Sequence, residues 1–150
     1  MLRRAFLSLG AGALVFAAAG SVRADATPDS VSGRWQTVDD KTGKPGAIVR
    51  TYVQNGKLYG IIEKILKEGK PQDVKCTACS GYFKDKPVVG MVFMWDLAHD
   101  GDDWSGGSIL DPDSGDVYKC KVTPHGDTLD VRGYMGISLL GRTQTWSRVK

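Results

Sequence analysis

Asp130-Val-Arg-Gly-Tyr-Met-Gly-Ile-Ser-Leu-Leu-Gly-Arg-Thr-Gln-Thr-Trp-Ser-Arg-Val149 brings the chain almost to its end. It holds two arginine-bearing segments of period two on either side of a glycine-punctuated bend, the pattern of two antiparallel strands. Near the other end, Gly33-Arg34-Trp35 is a short motif placed to pair with them. A sheet whose last strand returns to its first leaves no open edge, and these two stretches imply that closure.

Between these ends the chain is a succession of short alternating runs and turn clusters, with no helical period over a dozen residues. Strands are expected at Val31–Val38, Ala47–Gln54, Lys57–Leu66, Pro87–Leu97, Trp104–Leu110, Val117–Thr123, Thr128–Tyr134 and Leu140–Val149. Asn55-Gly56 is the strongest hairpin signal, because a type I′ turn needs positive φ at both central positions. A two-residue turn fixes the register. Val53 should oppose Leu58, Tyr52 Tyr59, Thr51 Gly60, Arg50 Ile61, Val49 Ile62 and Ile48 Glu63, with the Val49/Val53/Leu58/Ile62 face as core. Pro87–Leu97 is apolar on both faces and should be covered on both. Lys67 to Asp85 is the longest irregular stretch.

Eight strands joined by mostly short connections suit an all-β fold, an eight-stranded antiparallel up-and-down barrel. Its interior is just wide enough for packed side chains or one small ligand. A two-sheet sandwich would need long connections swapping between sheets.

Gly33-x-Trp35 with an arginine in the last strand resembles the lipocalin and wider calycin pattern, in which the arginine lies across the indole and closes the barrel base. Longer blocks extend the likeness. Trp35-Gln-Thr-Val-Asp-Asp-Lys-Thr-Gly43, Gly107-Ser-Ile-Leu-Asp-Pro112 with Gly115, Arg132-Gly-Tyr-Met-Gly136, and Gly141-Arg-Thr-Gln-Thr-Trp146 with Arg148 resemble the bacterial domain of unknown function 2147 family. The resemblance implies an exported, lipocalin-like barrel and no particular reaction.

The N-terminus reads as a leader. Met1 to Arg4 is basic, Ala5 to Ala19 is apolar and small, and Val22-Arg23-Ala24 or Ala24-Asp25-Ala26 offers a cleavage site. Residues 1–24 are therefore expected to be a signal peptide and residues 25–150 a single barrel domain. Arg3-Arg4-Ala5-Phe6-Leu7 resembles a twin-arginine signal, except that Leu2 stands where Ser or Thr is usual; an ordinary secretory signal with two arginines remains the alternative. Either places the mature protein in the bacterial periplasm or outside the cell, with no membrane span once the leader is gone. Three of the 20 basic residues lie in the leader, and none of the 17 acids does. The mature chain is thus near neutral and lacks the basic face that nucleic acid requires.

Cysteines are odd in number: Cys76, Cys79 and Cys120. Cys76-Thr-Ala-Cys79 lacks the following His of a haem-attachment motif and the βαβ setting of a thioredoxin site, so a disulfide pinning the long loop is expected. Cys120 shares an apolar strand face with Tyr118 and Val122 and reads as a buried thiol. A zinc site drawing in His99 or His125 would require Cys120 to leave that core. Asp100 to Asp103 and Asp111 to Asp116 lack the terminal Glu of a calcium loop and read as turns. Gly136-Ile-Ser138-Leu-Leu140 lacks the final Gly of a nucleophile elbow, and both histidines fall in expected turns. No metal, cofactor or catalytic constellation is expected.

Period two puts Arg142, Gln144, Trp146 and Arg148 on one face of the last strand. The other face is also polar, so alternation leaves open which one points inward. Trp35 and Arg148 are the expected closure pair, with Arg142 nearer the opposite end. Asp130 and Arg132 share a face of the preceding strand and are placed to pair. The reading is a barrel binding a small, partly apolar or anionic molecule at its mouth. Tyr52, Tyr59, Phe93, Trp95, Tyr134 and Trp146 are the expected lining, with Arg132 and Arg142 as polar anchors. The alternatives are an envelope module that docks a protein through exposed aromatics, and an enzyme using the barrel mouth.

Overall fold

Asn55 and Gly56 turn with φ of 51° and 73°, the left-handed pair that a type I′ hairpin needs. The register runs as expected from Val53–Leu58 through Tyr52–Tyr59 to Val49–Ile62. One step further a bulge sets Ile48 opposite Lys64 rather than the expected Glu63. The extra residue lets Glu63 and Lys64 both face outward and returns Ile65 to the core. Arg34 and Arg50 are direct cross-strand partners, and like charges so placed repel. Glu63 lies 2.7 Å from Arg34 Nε and 3.2 Å from Arg50 Nε.

This hairpin belongs to a computed structural model that describes residues 28–137 and 141–150. The expected leader and the Ser138 segment lie outside the described residues. A short helix α1 (Pro28–Val31) precedes β1 (Gly33–Val38), β2 (Pro45–Gln54), β3 (Lys57–Ile65), a 3-10 turn (Gly81–Phe83), β4 (Val92–Asp100), β5 (Asp103–Leu110), β6 (Val117–His125), β7 (Thr128–Tyr134) and β8 (Gly141–Arg148). Each strand pairs antiparallel with the next and β8 pairs with β1, so the sheet closes into an eight-stranded up-and-down barrel.

Several strand limits differ from the sequence reading. β1 starts at Gly33 because Val31 ends α1 and is itself buried. β4 starts at Val92 rather than Pro87, since Gly90 turns the chain at φ 89° and Pro87 bridges Lys75 instead. β4 and β6 run on through His99 and His125, so both histidines sit on strand ends and not in turns. Within β4, Asp96 kinks at φ 61° and brings the strand backbone against Gly107. A Cβ at position 107 would collide with the Trp95 carbonyl oxygen, which is why this crossing takes glycine.

The barrel has two unlike ends. Two-residue turns at 55–56, 101–102 and 126–127 lie at one end, with α1; the connections 39–44, 66–91 and 111–116, with the end of β7 and the start of β8, lie at the other. Trp35, Leu58, Leu97, Trp104 and Leu129 are almost fully buried and pack the turn end, each worth about 1.5–3 kcal/mol of transfer free energy. That end is solid. The other is not.

Candidate functional site

The closed end is built from the first and last strands. Trp35 and Arg148 are direct partners across β1 and β8, and the guanidinium carbon lies 4.1 Å from the indole centroid. Gly33 has φ of 141°, and a Cβ there would come within 2.5 Å of Arg148 Nη1. The glycine of Gly33-x-Trp35 thus makes room for the cation. Arg148 donates to the carbonyls of Ser32 (3.0 Å) and Ser30 (3.2 Å). Trp35 Nε1 donates to Thr51 Oγ1 at 2.8 Å, and Thr51 donates to the Val31 carbonyl at 2.5 Å. Both polar groups withdrawn from water are therefore satisfied, as burial demands, and α1 is tied beneath the barrel.

The open end is held by ion pairs between loops. Lys67 Nζ reaches Asp39 at 3.0 Å and also Asp113, which Lys70 contacts too. The hydrogen bond from Lys67 leads in holding Asp39 below its ordinary 3.8. For Asp113 burial pulls upward, but the hydrogen bonds from Lys67 and Lys70 outweigh it and the carboxyl is lowered. Burial likewise pulls Lys67 down, and its bonds to Asp113 and Asp39 leave it raised above 10.5. Beside this cluster, Asp40 accepts from Arg142 Nη2 at 2.9 Å and from Gln144 Nε2 at 2.8 Å. Gln144 in turn accepts from Trp146 Nε1 at 3.0 Å, so a chain of hydrogen bonds runs from the rim into the barrel.

The long β3–β4 connection forms one wall of the mouth. Cys76 and Cys79 are disulfide-bonded, and Cys76 Sγ packs 3.4 Å from the Pro112 carbonyl oxygen of the β5–β6 turn. A side chain at Gly115 would strike the Ala78 carbonyl, so the two loops lie in close contact. Cys120 is free and buried, and burial pushes its thiol up to about 12. A thiol in that state is inert.

Between the two ends lies a cavity of about 660 Å³, walled by Val49, Ile62, Phe93, Ile109, Val131 and Trp146. That is within the roughly 300–1,000 Å³ of small-molecule sites. Phe93, Tyr134, Arg142 and Trp146 line it among the expected ligand residues. Arg142, Gln144 and Trp146 all do, which makes theirs the inner face of β8.

Tyr52, Tyr59, Trp95 and Arg132 are elsewhere. With Val53 and Leu58 inward, the period of two turns Tyr52 and Tyr59 outward, where they stack at 5.6 Å. Tyr59 donates to Asp96 at 2.9 Å, and Arg50 lies over the Tyr52 ring. Trp95 faces an outer cleft of about 550 Å³, 5.4 Å from Phe83 and beside Tyr82. Arg132 alternates with the inward Val131 and donates to Thr143, while Asp130 takes His125 and Thr145 instead of the expected arginine. The sequence assigns no site role to Asp39, Asp40 or Lys67, and Asp113 reads there as a turn residue that falls short of a calcium loop. Their acids look like ordinary turn residues, and nothing local ties Asp40 to a glutamine 104 positions away.

An eight-stranded barrel closed at one end by a tryptophan–arginine pair and open at the other onto an apolar cavity is a lipocalin-like barrel. The chain belongs to the family described as "Uncharacterized protein conserved in bacteria (DUF2147)", which matches residues 33–148. It is also similar in structure to protein HP1028 from the human pathogen Helicobacter pylori, which is described as belonging to the lipocalin family. The TM-score is 0.70 at 23% identity, over 79% of this chain and 82% of that one. No curated protein sequence matches the chain.

Proposed function

We propose that this protein is an exported binding protein that takes one small, largely apolar molecule into the barrel, with the polar end of that molecule at the charged rim. The observation that carries this reading is the cavity of about 660 Å³ with apolar walls, sealed at one end and open at the other. Cavities of that size and lining bury most of a small ligand, while a few polar groups fix its orientation. Arg142 and Gln144 are those groups here, and the ligand class includes anions for that reason.

Export is supported by the leader pattern of residues 1–24 and by the Cys76–Cys79 disulfide, since such bonds persist in oxidising compartments. Among the described residues, no helix is long and apolar enough to cross a membrane. A second reading, a protein-docking module, is favoured by the outer cleft, where Tyr82 is 80% exposed beside Phe83 and Trp95.

Native mass spectrometry of the protein recovered from a bacterial envelope tests the choice. A bound small molecule is expected, lost in a Val131→Trp variant that fills the cavity and keeps the circular dichroism of the barrel. An empty barrel that co-purifies with a protein, and releases it on Trp95→Ala, would favour the docking module.

A further inference from the structure

We infer that Asp40 sits on the ligand's anion site, and that the intended ligand is an apolar molecule bearing one carboxylate, which displaces it. The inference rests on the cavity-binding reading above and names its ligand class. Asp40 Oδ2 accepts from the Arg142 guanidinium at 2.9 Å and from the Gln144 amide at 2.8 Å. Those two donors stand at alternate positions of one strand, on its inner face, and both line the cavity. The acceptor comes from a different place, the β1–β2 connection.

A cation and an amide N–H converging on one oxygen form a carboxylate site, and here the protein fills it with its own carboxylate. Gln144 also joins the site to the interior, since its other amide atom accepts from Trp146 Nε1 at 3.0 Å. A ligand carboxylate on Arg142 and Gln144 would therefore lie at the rim with its apolar body beside Trp146 and Phe93.

Exchange is feasible because the present contact is weak. The Arg142 side chain is 66% exposed and that of Asp40 28%, and an exposed ion pair contributes little net stability. Of the other cations that line the cavity, Lys67 and Lys70 are more firmly held. Lys67 is shared by Asp39 and Asp113, and Lys70 is bound to Asp113. Among the described residues Arg142 has one carboxylate partner, and rotation of the Asp40 side chain alone would release it.

Binding of decanoate and of 1-decanol to the full mature chain, measured by calorimetry, tests this. Removing the internal competitor with Asp40→Asn should raise the preference for decanoate over decanol about tenfold. Arg142→Gln should lower that preference, and the double variant should lose the gain. Asp116→Asn removes a like charge from the same end of the barrel without touching the site, and should change the preference less than about twofold. An unchanged or lower preference in Asp40→Asn overturns the inference, as does an equal gain in Asp116→Asn, which would make it general electrostatics. Decanol binding without any decanoate effect leaves the cavity reading standing and this one refuted; no binding of either probe to any variant refutes both.

Discussion

Arg148 covers the Trp35 ring at 4.1 Å, and the pair joins the last strand of the barrel to the first. Trp35→Ala should destabilise by roughly 3–5 kcal/mol, because it leaves a large cavity in a packed end. Arg148→Ala should cost considerably less, near the 0.5–2 kcal/mol of a cation over an indole. Arg148→Lys should not restore it, since an ammonium neither stacks like a guanidinium nor spans the Ser30 and Ser32 carbonyls. Urea unfolding followed by tryptophan fluorescence gives all three values. Equal losses for Trp35→Ala and Arg148→Ala would contradict the ordering.

Alkylation should modify no cysteine in the native, oxidised protein and Cys120 alone after unfolding, as read by intact mass. The Cys76–Cys79 bond closes a very short loop, so the chain-entropy estimate of its contribution is only about 2 kcal/mol. Reduction should thus raise hydrogen exchange in residues 66–91 and leave that of β6 and β7 unchanged. Exchange rising across the whole barrel would show that the loop supports more than the mouth.

Acid should loosen the mouth before it unfolds the barrel. Asp39 and Asp113 are lowered from 3.8, so their contribution is present above about pH 4 and is lost as pH falls below 3.8 through their native values. Lys67 is raised above 10.5, so its contribution is present below pH 10.5 and fades only above it. Protection of the 66–91 amides, taken relative to their intrinsic exchange rate at each pH, should fall below pH 4 in the wild type. In Asp113→Asn protection should already be reduced at neutral pH, with a smaller further change on acidification. Identical acid profiles for the two proteins would remove the cluster from the account.

The parts of this molecule that were legible in the sequence are those set by local rules. Asn55-Gly56 dictates its own turn and so the register of β2 and β3, and alternation then assigns the core face. The closing pair was legible because glycine, indole and guanidinium carry a recognisable division of labour. The bulge at Glu63 was not, because two successive polar residues, Glu63 and Lys64, break the alternation without saying how the paired strand takes up the extra residue. Tyr52 and Tyr59 have the chemistry of ligand residues, but the register that places Val53 inward sends them outward. Asp40 was missed because a turn aspartate looks the same whether or not a distant strand needs it.

The central claim is that small apolar molecules enter the barrel. The four tryptophans mark four places: Trp35 the sealed base, Trp104 the packed core, Trp95 the outer cleft and Trp146 the cavity wall. Titrating the ¹⁵N-labelled mature protein with 1-decanol should shift the Trp146 indole N–H progressively to saturation, with the Trp95 signal fixed. Movement of Trp95 with Trp146 unmoved, or no movement of either, would contradict the account.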